Sequence, residues 1–118
     1  MKKIEYSQIL RKKLHSLKAE LIQNFGTEVA GKSIKKITDA VRSLAKFEKK
    51  GIAVSAMYDI ECDYRYLYVG HNYVFYRIEK DKIIIVKMFD EREDFIYKLF
   101  GISTRSQESA DYWDLEDD

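Results

Sequence analysis

The hydrophobic residues of this chain change their period once, near its middle, and that change limits the folds open to it. Leu10, Leu14, Leu17, Leu21 and Phe25 recur at spacings of four, three, four and four, which is one face of a helix with 3.6 residues per turn. From Tyr64 onward the period is two, with Tyr64, Tyr66 and Tyr68 alternating with Arg65, Leu67 and Val69, the pattern of a strand. Helices in one half and strands in the other predict an α+β domain.

The boundaries follow from local chemistry. Lys3-Ile4-Glu5-Tyr6 alternates as an edge strand with Ile4 and Tyr6 inward, and Ser7 can cap a helix over about 8–25 that Gly26 ends. Thr27 is the expected N-cap of a second helix, whose apolar face is Ala30, Ile34, Ile37, Val41 and Leu44 and which ends before Gly51. Two helices joined by about two residues run antiparallel, so the pair is an αα-hairpin. Residues 51–63 are expected to be irregular, packing over the core edge. Gly70-His71-Asn72 and Glu79-Lys80-Asp81 are turn signals between short strands, so the strands form an antiparallel meander. The β-branched run from Ile83 to Phe89 is expected to be a central strand buried on both faces. Asp90 with Glu93 forms a capping-box variant before a short C-terminal helix with Phe95, Ile96, Leu99 and Phe100 on its apolar face. The expected architecture is an N-terminal edge strand and αα-hairpin packed on a small antiparallel β-meander, as one domain over 1–101. An acidic tail, 102–118, follows and is expected to be mobile or loosely docked.

Composition narrows the classes further. No apolar run approaches the roughly 20 residues that cross a bilayer. The start, Met1-Lys2-Lys3-Ile4-Glu5, lacks the apolar core of a signal peptide. One cysteine, Cys62, builds no disulfide framework, and the expected location is the cytoplasm. The net charge of +1 conceals a polarity: residues 1–57 carry +8, 58–102 carry −2 and 103–118 carry −5. A basic surface facing an anionic partner is one consequence. Lys32, Lys35, Lys36, Arg42, Lys46, Lys49 and Lys50 gather mostly opposite the apolar stripe of the second helix, either as a solvated face or as a stripe facing a partner.

Two histidines far apart and one cysteine make no metal site. The glycines fall singly or at element ends and form no phosphate loop. No cofactor is expected. What remains is cations beside aromatics on a small sheet. By alternation Tyr73, Phe75 and Arg77 share one face and Val74, Tyr76 and Ile78 the other, while Ile83, Ile85, Lys87 and Phe89 alternate with Ile84, Val86 and Met88. Arg65, Arg77 and Lys87, with Arg92 beyond, supply phosphate-neutralising charge, and tyrosines supply stacking platforms, which is the combination single-stranded RNA binding needs. The same residues also read as ordinary strand tyrosines with Arg77 paired to a nearby acid such as Glu79.

The element order, together with the stretch from Tyr66 through Gly70-His71-Asn72 to Tyr76-Arg77-Ile78 and the run Ile83–Phe89 leading to Arg92 and Asp94, resembles the RelE/ParE superfamily of type II toxin–antitoxin toxins. The resemblance covers about residues 1–101. It implies one of two activities. RelE-like members are metal-independent endoribonucleases that cleave ribosome-bound mRNA with basic side chains and a Tyr or His; ParE-like members poison DNA gyrase by binding. The arginine common in RelE-like members near Asn72 or Tyr73 is absent, and Phe89-Asp90-Glu91-Arg92 stands where a terminal His or Tyr is usual. Loss of a general acid or base costs about 10²–10⁴-fold in rate, which tilts the expectation toward a ParE-like toxin of a plasmid-stabilisation system. A non-toxic interaction module with the same fold is a third reading.

For a nuclease the resemblance assigns Arg77 and Lys87 to phosphate charge and Arg92 to the transition state. Tyr73 or Tyr76 would stack a base, unless Tyr76 is core, and His71 is either an exposed turn residue or a general acid. Arg65, Lys35, Lys36, Arg42 and Lys46 complete the candidate target-binding set. The implied partners are a cognate acidic antitoxin that folds on the basic hairpin and a target that is either gyrase or the ribosome with its mRNA. No membrane partner is expected. The tail suggests a further idea, that Asp111-Tyr112-Trp113-Asp114-Leu115 folds back on the basic surface.

Overall fold

The computed structural model describes residues 1–58 and 60–93. In chain order these form β1 (Lys3–Tyr6), α1 (Gln8–Phe25), α2 (Thr27–Arg42), a 3₁₀ turn (Ser43–Ala45), β2 (Ile52–Ala53), α3 (Val54–Tyr58), β3 (Tyr64–Val69), β4 (Asn72–Ile78) and β5 (Lys82–Asp90). The strands make one sheet in the order β1-β5-β4-β3-β2. The meander β3-β4-β5 is antiparallel as expected, β1 joins β5 in parallel and β2 pairs antiparallel with β3. The expected C-terminal helix and acidic tail lie outside the described residues.

The hairpin is tighter than its sequence suggests. Gly26 alone links the helices at φ 93°, ψ 168°, a conformation that only glycine adopts without strain. Its N–H donates to the Ile22 carbonyl at 2.9 Å and its own carbonyl accepts from the Ala30 N–H at 3.1 Å. Gly26 thus ends α1 and begins α2, and Thr27 is the first residue of α2 rather than its cap. The α2 helix stops at Arg42, and the expected core residue Leu44 sits in the 3₁₀ turn.

One face of the sheet packs on the hairpin. Leu10, Ile37, Val41 and Leu44 meet Leu67, Val74, Tyr76, Ile83, Ile85 and Met88, with Ile4, Tyr6, Leu14 and Leu17 at the margin. The segment between the 3₁₀ turn and β3, expected to be irregular, instead contains β2 and α3. They help cover the second face, where Val54 joins Tyr66, Phe75 and Phe89, with Ile60, Cys62, Tyr64 and Tyr73 alongside.

The alternation expected for β5 breaks at Val86. Phe75 pairs with Lys87 but Tyr76 pairs with Ile85, so Val86 is an extra residue, a β-bulge. Below it Ile83 and Ile85 face the hairpin; above it Met88 does, and Phe89 is turned to the second face. Ile83, Ile85, Lys87 and Phe89 therefore do not share one side. Ser7 secures the bulge: its N–H donates to Ile85 O at 2.9 Å and its hydroxyl to Val86 O at 2.6 Å. The same oxygen accepts from Leu10 N–H at 3.0 Å, capping α1 as expected. β5 is an interior strand, yet β4 is the central one, and Ile84 and Val86 are half-buried rather than buried on both faces.

Candidate functional site

The second sheet face is aromatic. Tyr66 lies 5.5 Å from Tyr73 and 5.7 Å from Phe75, Phe75 lies 5.8 Å from Phe89, and Tyr68 lies 5.2 Å from Tyr73, all between ring centroids. The rings meet edge-on or tilted, arrangements favoured by their quadrupoles. Lys87 is set into this face opposite Phe75, half-buried, and its ammonium has no ion-pair partner among the described residues. Arg77 lies on the same face at the end of β4, opposite Tyr64, and its guanidinium donates to Glu79 Oε2 at 2.9 Å.

Arg92 stands at the other end of the ladder. Its backbone N–H and its Nε both donate to Asp90 Oδ1 at 2.9 Å, while Glu93 Oε2 accepts from the Asp90 N–H at 2.7 Å. Half of the box read from the sequence is present, Glu93 accepting from the Asp90 N–H. The Asp90 carboxylate accepts from the Arg92 N–H instead of that of Glu93, and the helix the box was expected to start lies outside the described residues. The Arg92 guanidinium holds the Asp90 carboxyl below its ordinary range. Arg77 lies five positions along β4 from Asn72, the partner of Asp90, about 17 Å at roughly 3.4 Å per residue. Arg77, Lys87 and Arg92 are therefore strung along the ladder and do not converge on one phosphate.

Two other expected residues are structural. Tyr76 is fully buried; its hydroxyl donates to the Glu48 carbonyl and accepts from the Gly51 N–H, each at 2.8 Å. Burial pushes its phenol pKa up, against a smaller lowering by the Gly51 N–H and Arg65. Stacking on a base is excluded for a ring with no exposed face, so that expectation is corrected. Gly51 must be glycine, because a Cβ there would lie 2.5 Å from the Tyr76 hydroxyl and 2.7 Å from the Tyr66 carbonyl. Arg65 donates to the Gly51 carbonyl at 2.8 Å and, at 3.5 Å, to that of Lys49. It clamps the loop before β2 rather than projecting as a contact residue.

Much of the basic stripe on α2 is answered locally. Lys35 meets Asp39 at 2.8 Å, Arg42 meets Asp39 at 3.5 Å and Lys32 meets Glu28 at 3.3 Å. Lys35, through its hydrogen bond, lowers the Asp39 pKa, with Arg42 adding to the effect. Lys36 and Lys46 are exposed and make no ion pair among the described residues.

The β3–β4 turn holds a cluster that alternation did not reveal. His71 sits at φ 64°, its Nδ1 3.0 Å from Glu91 Oε1, and the Tyr68 hydroxyl donates to the other Glu91 oxygen. That carboxylate pushes the Tyr68 pKa up to about 12. Counting outward from the turn at Ile78–Ile83 sets Asn72 opposite Phe89. The extra residue of the bulge moves Asn72 opposite Asp90 and so brings His71 beside Glu91, which spacing alone could not have found. Next to it a cleft of about 380 Å³ opens between the hairpin and the sheet end, edged by Leu17, Phe25, Lys36, His71, Asn72 and Arg92. Among the described residues no group of His, Cys, Asp and Glu can hold a metal ion, and no helix is long and apolar enough to cross a membrane.

A helical hairpin on a mixed five-stranded sheet, with its cations dispersed along the strands, is the RelE/ParE-like α+β fold. The family model described as the ParE toxin of the type II toxin–antitoxin system, parDE, matches residues 4–95, and the chain belongs to that family. Among solved structures it is similar to a chain of the chromosomal ParDE toxin–antitoxin system from P. aeruginosa, with a TM-score of 0.64 at 17% identity, over 76% of this chain and 96% of that one. No curated protein sequence matches it significantly.

Proposed function

We propose that this ParE-family protein inhibits growth by binding an essential cellular machine, DNA gyrase being the expected one, and that a cognate antitoxin neutralises it as part of a plasmid-stabilisation module. The observation that carries the reading is the dispersal of Arg77, Lys87 and Arg92 along the β4–β5 ladder, with Arg77 and Arg92 each already held by a neighbouring acid. Phosphoryl-transfer catalysis needs donors aimed at one developing charge, whereas a binding inhibitor needs an extended surface. Lys36, Lys46, Lys87 and Tyr73 are the residues we assign to target contact, with antitoxin contact expected along the hairpin.

One feature favours the second reading, a metal-independent endoribonuclease acting on ribosome-bound mRNA: Lys87 lies on a face with Tyr73 and Phe75, a cation beside rings as RNA binding requires. Induced cells distinguish the two. Loss of plasmid supercoiling with intact mRNA on primer extension is expected; discrete cuts within codons would replace the gyrase reading with the nuclease.

A further inference from the structure

The hairpin carries a second groove, on its side away from the cleft at the sheet end. Arg11, Leu14, His15 and Lys18 of α1 face Ile34, Thr38 and Arg42 of α2, with Tyr6 at one end, around a hollow of about 450 Å³. The spacing of 11, 14, 15 and 18 puts those side chains on one stripe of α1, and 34, 38 and 42 form the matching row on α2. The floor is apolar, with Tyr6, Leu14 and Ile34 half-buried, and the walls are cationic, with no acid among the lining residues. Arg11 and Lys18 form no ion pair among the described residues, whereas Arg42 shares Asp39 with Lys35, meeting it at a long 3.5 Å.

Such a groove fits a short acidic peptide with an aromatic anchor. This chain contains one: Asp111-Tyr112-Trp113-Asp114-Leu115-Glu116-Asp117-Asp118, in a terminal stretch of net charge −5. Length permits the contact. The described chain ends at Glu93, whose carboxylate lies 3.6 Å from Lys13 Nζ on α1. The seventeen residues 94–110 reach at most about 56 Å when extended, at roughly 3.3 Å each. Passing around one helix, about 10–12 Å across, needs only part of that.

We propose that the Arg11–His15–Lys18–Arg42 groove is the docking site of this chain's own segment 111–118, with the Trp113 indole on the Leu14–Ile34 floor and the carboxylates against Arg11, Lys18 and Arg42. Indole rings combine an apolar body with attraction to guanidinium and ammonium groups, which is the chemistry of this floor and these walls. The docking is independent of which target the protein has.

Trp113 is the chain's one tryptophan, so its fluorescence reports the contact directly in the full-length protein. Docking predicts emission blue-shifted, and several-fold less quenched by acrylamide, relative to a free peptide of residues 103–118. Arg11→Glu with Lys18→Glu should return both readings to those of the peptide, at unchanged helical circular dichroism. Should that reversal unfold the chain, Arg11→Gln with Lys18→Gln makes the same test more gently. Emission equal to that of the peptide in the unsubstituted chain would overturn the proposal. So would protection that survives both substitutions, or protection that fades on dilution, which would place the segment on a second copy instead.

Discussion

The two faces of the sheet are built from different side chains, and the difference separates holding the fold from meeting a partner. Toward the hairpin the core is mainly aliphatic and closed: Leu10, Val41, Leu44, Val74, Ile83 and Ile85 are no more than 1% exposed. Branched and unbranched aliphatics interlock there at crystal-like density. The second face is aromatic and graded. Phe75 is buried, Tyr73 half-buried and Tyr68 52% exposed, with Lys87 and Arg77 set among them. Tyrosines at graded depth present an apolar body with a polar tip, the combination enriched at interfaces.

The comparison is sharpest where a side chain is removed from each face. Ile85→Ala should cost about 2–5 kcal/mol, because a fully buried aliphatic leaves a cavity. Tyr73→Ala, on the half-buried side, should cost about 1 kcal/mol, the centre of the range for single substitutions. Urea unfolding measures both, and equal losses would make the aromatic face a second core. Next in size is Tyr76→Phe, expected to destabilise by about 1–3 kcal/mol, since it strands the buried Gly51 N–H and the Glu48 carbonyl. Ser7→Ala should cost about 1–2 kcal/mol, a typical cap loss, and it also strips the donor from the Val86 bulge. A double cycle with a substitution on α1 alone would show whether cap and bulge act together.

Function should divide the other way. Lys87→Ala and Arg77→Ala are expected to leave the unfolding midpoint unchanged, because Lys87 has no ion pair among the described residues and the Arg77–Glu79 pair is exposed enough to contribute little. Lys87→Ala should weaken growth inhibition when the toxin is induced, whereas Arg77→Ala, whose guanidinium is already held by Glu79, should leave it unchanged. A folded Lys87→Ala protein that inhibited growth fully would remove Lys87 from the target surface and with it the functional half of the comparison.

How far the sequence could be read depended on whether a feature was local. The caps, the hairpin and the meander are set by residues three or four apart, so Ser7, Gly26 and the turns at 70–72 and 79–81 could be recognised from spacing alone. The bulge at Val86 could not, because its signal is a hydroxyl seventy-nine positions away. That one extra residue re-aimed Met88 and Phe89 and broke the face inferred for Lys87. The strand β2 was missed for a similar reason: two residues carry no period, and the pairing of Ile52 with Tyr66 is held partly by the Arg65 clamp and by Tyr76. Candidate cations were identifiable by type, but their dispersal was visible only once the register of β4 on β5 was fixed.

The smallest expected effect is electrostatic and tests whether the rim of the aromatic face is held by its own contacts. Glu91 accepts from Tyr68 and approaches His71, so ionising the phenol would place two negative charges together. The folded protein therefore favours the neutral phenol. Its contribution is complete below the ordinary tyrosine pKa of 10.0 and disappears as pH rises to about 12. Asp90 behaves oppositely: its lowered pKa gives a contribution present above the ordinary value of 3.8 and lost as pH falls through the folded one. In a tyrosinate absorbance titration Tyr6, Tyr66 and Tyr76 should also ionise late, held up by burial, so Tyr68 is read as the difference between the parent and Tyr68→Phe curves. That difference should be late, and Glu91→Gln should bring it back toward the ordinary value. The hydrogen bond to the Glu91 carboxylate is the largest cause of the delay at this exposed phenol, ahead of the rise from desolvation. If the Tyr68 difference curve itself stayed late in Glu91→Gln, Tyr68 would be shielded like the rings beneath it, and the gradation across this face would collapse into a closed layer.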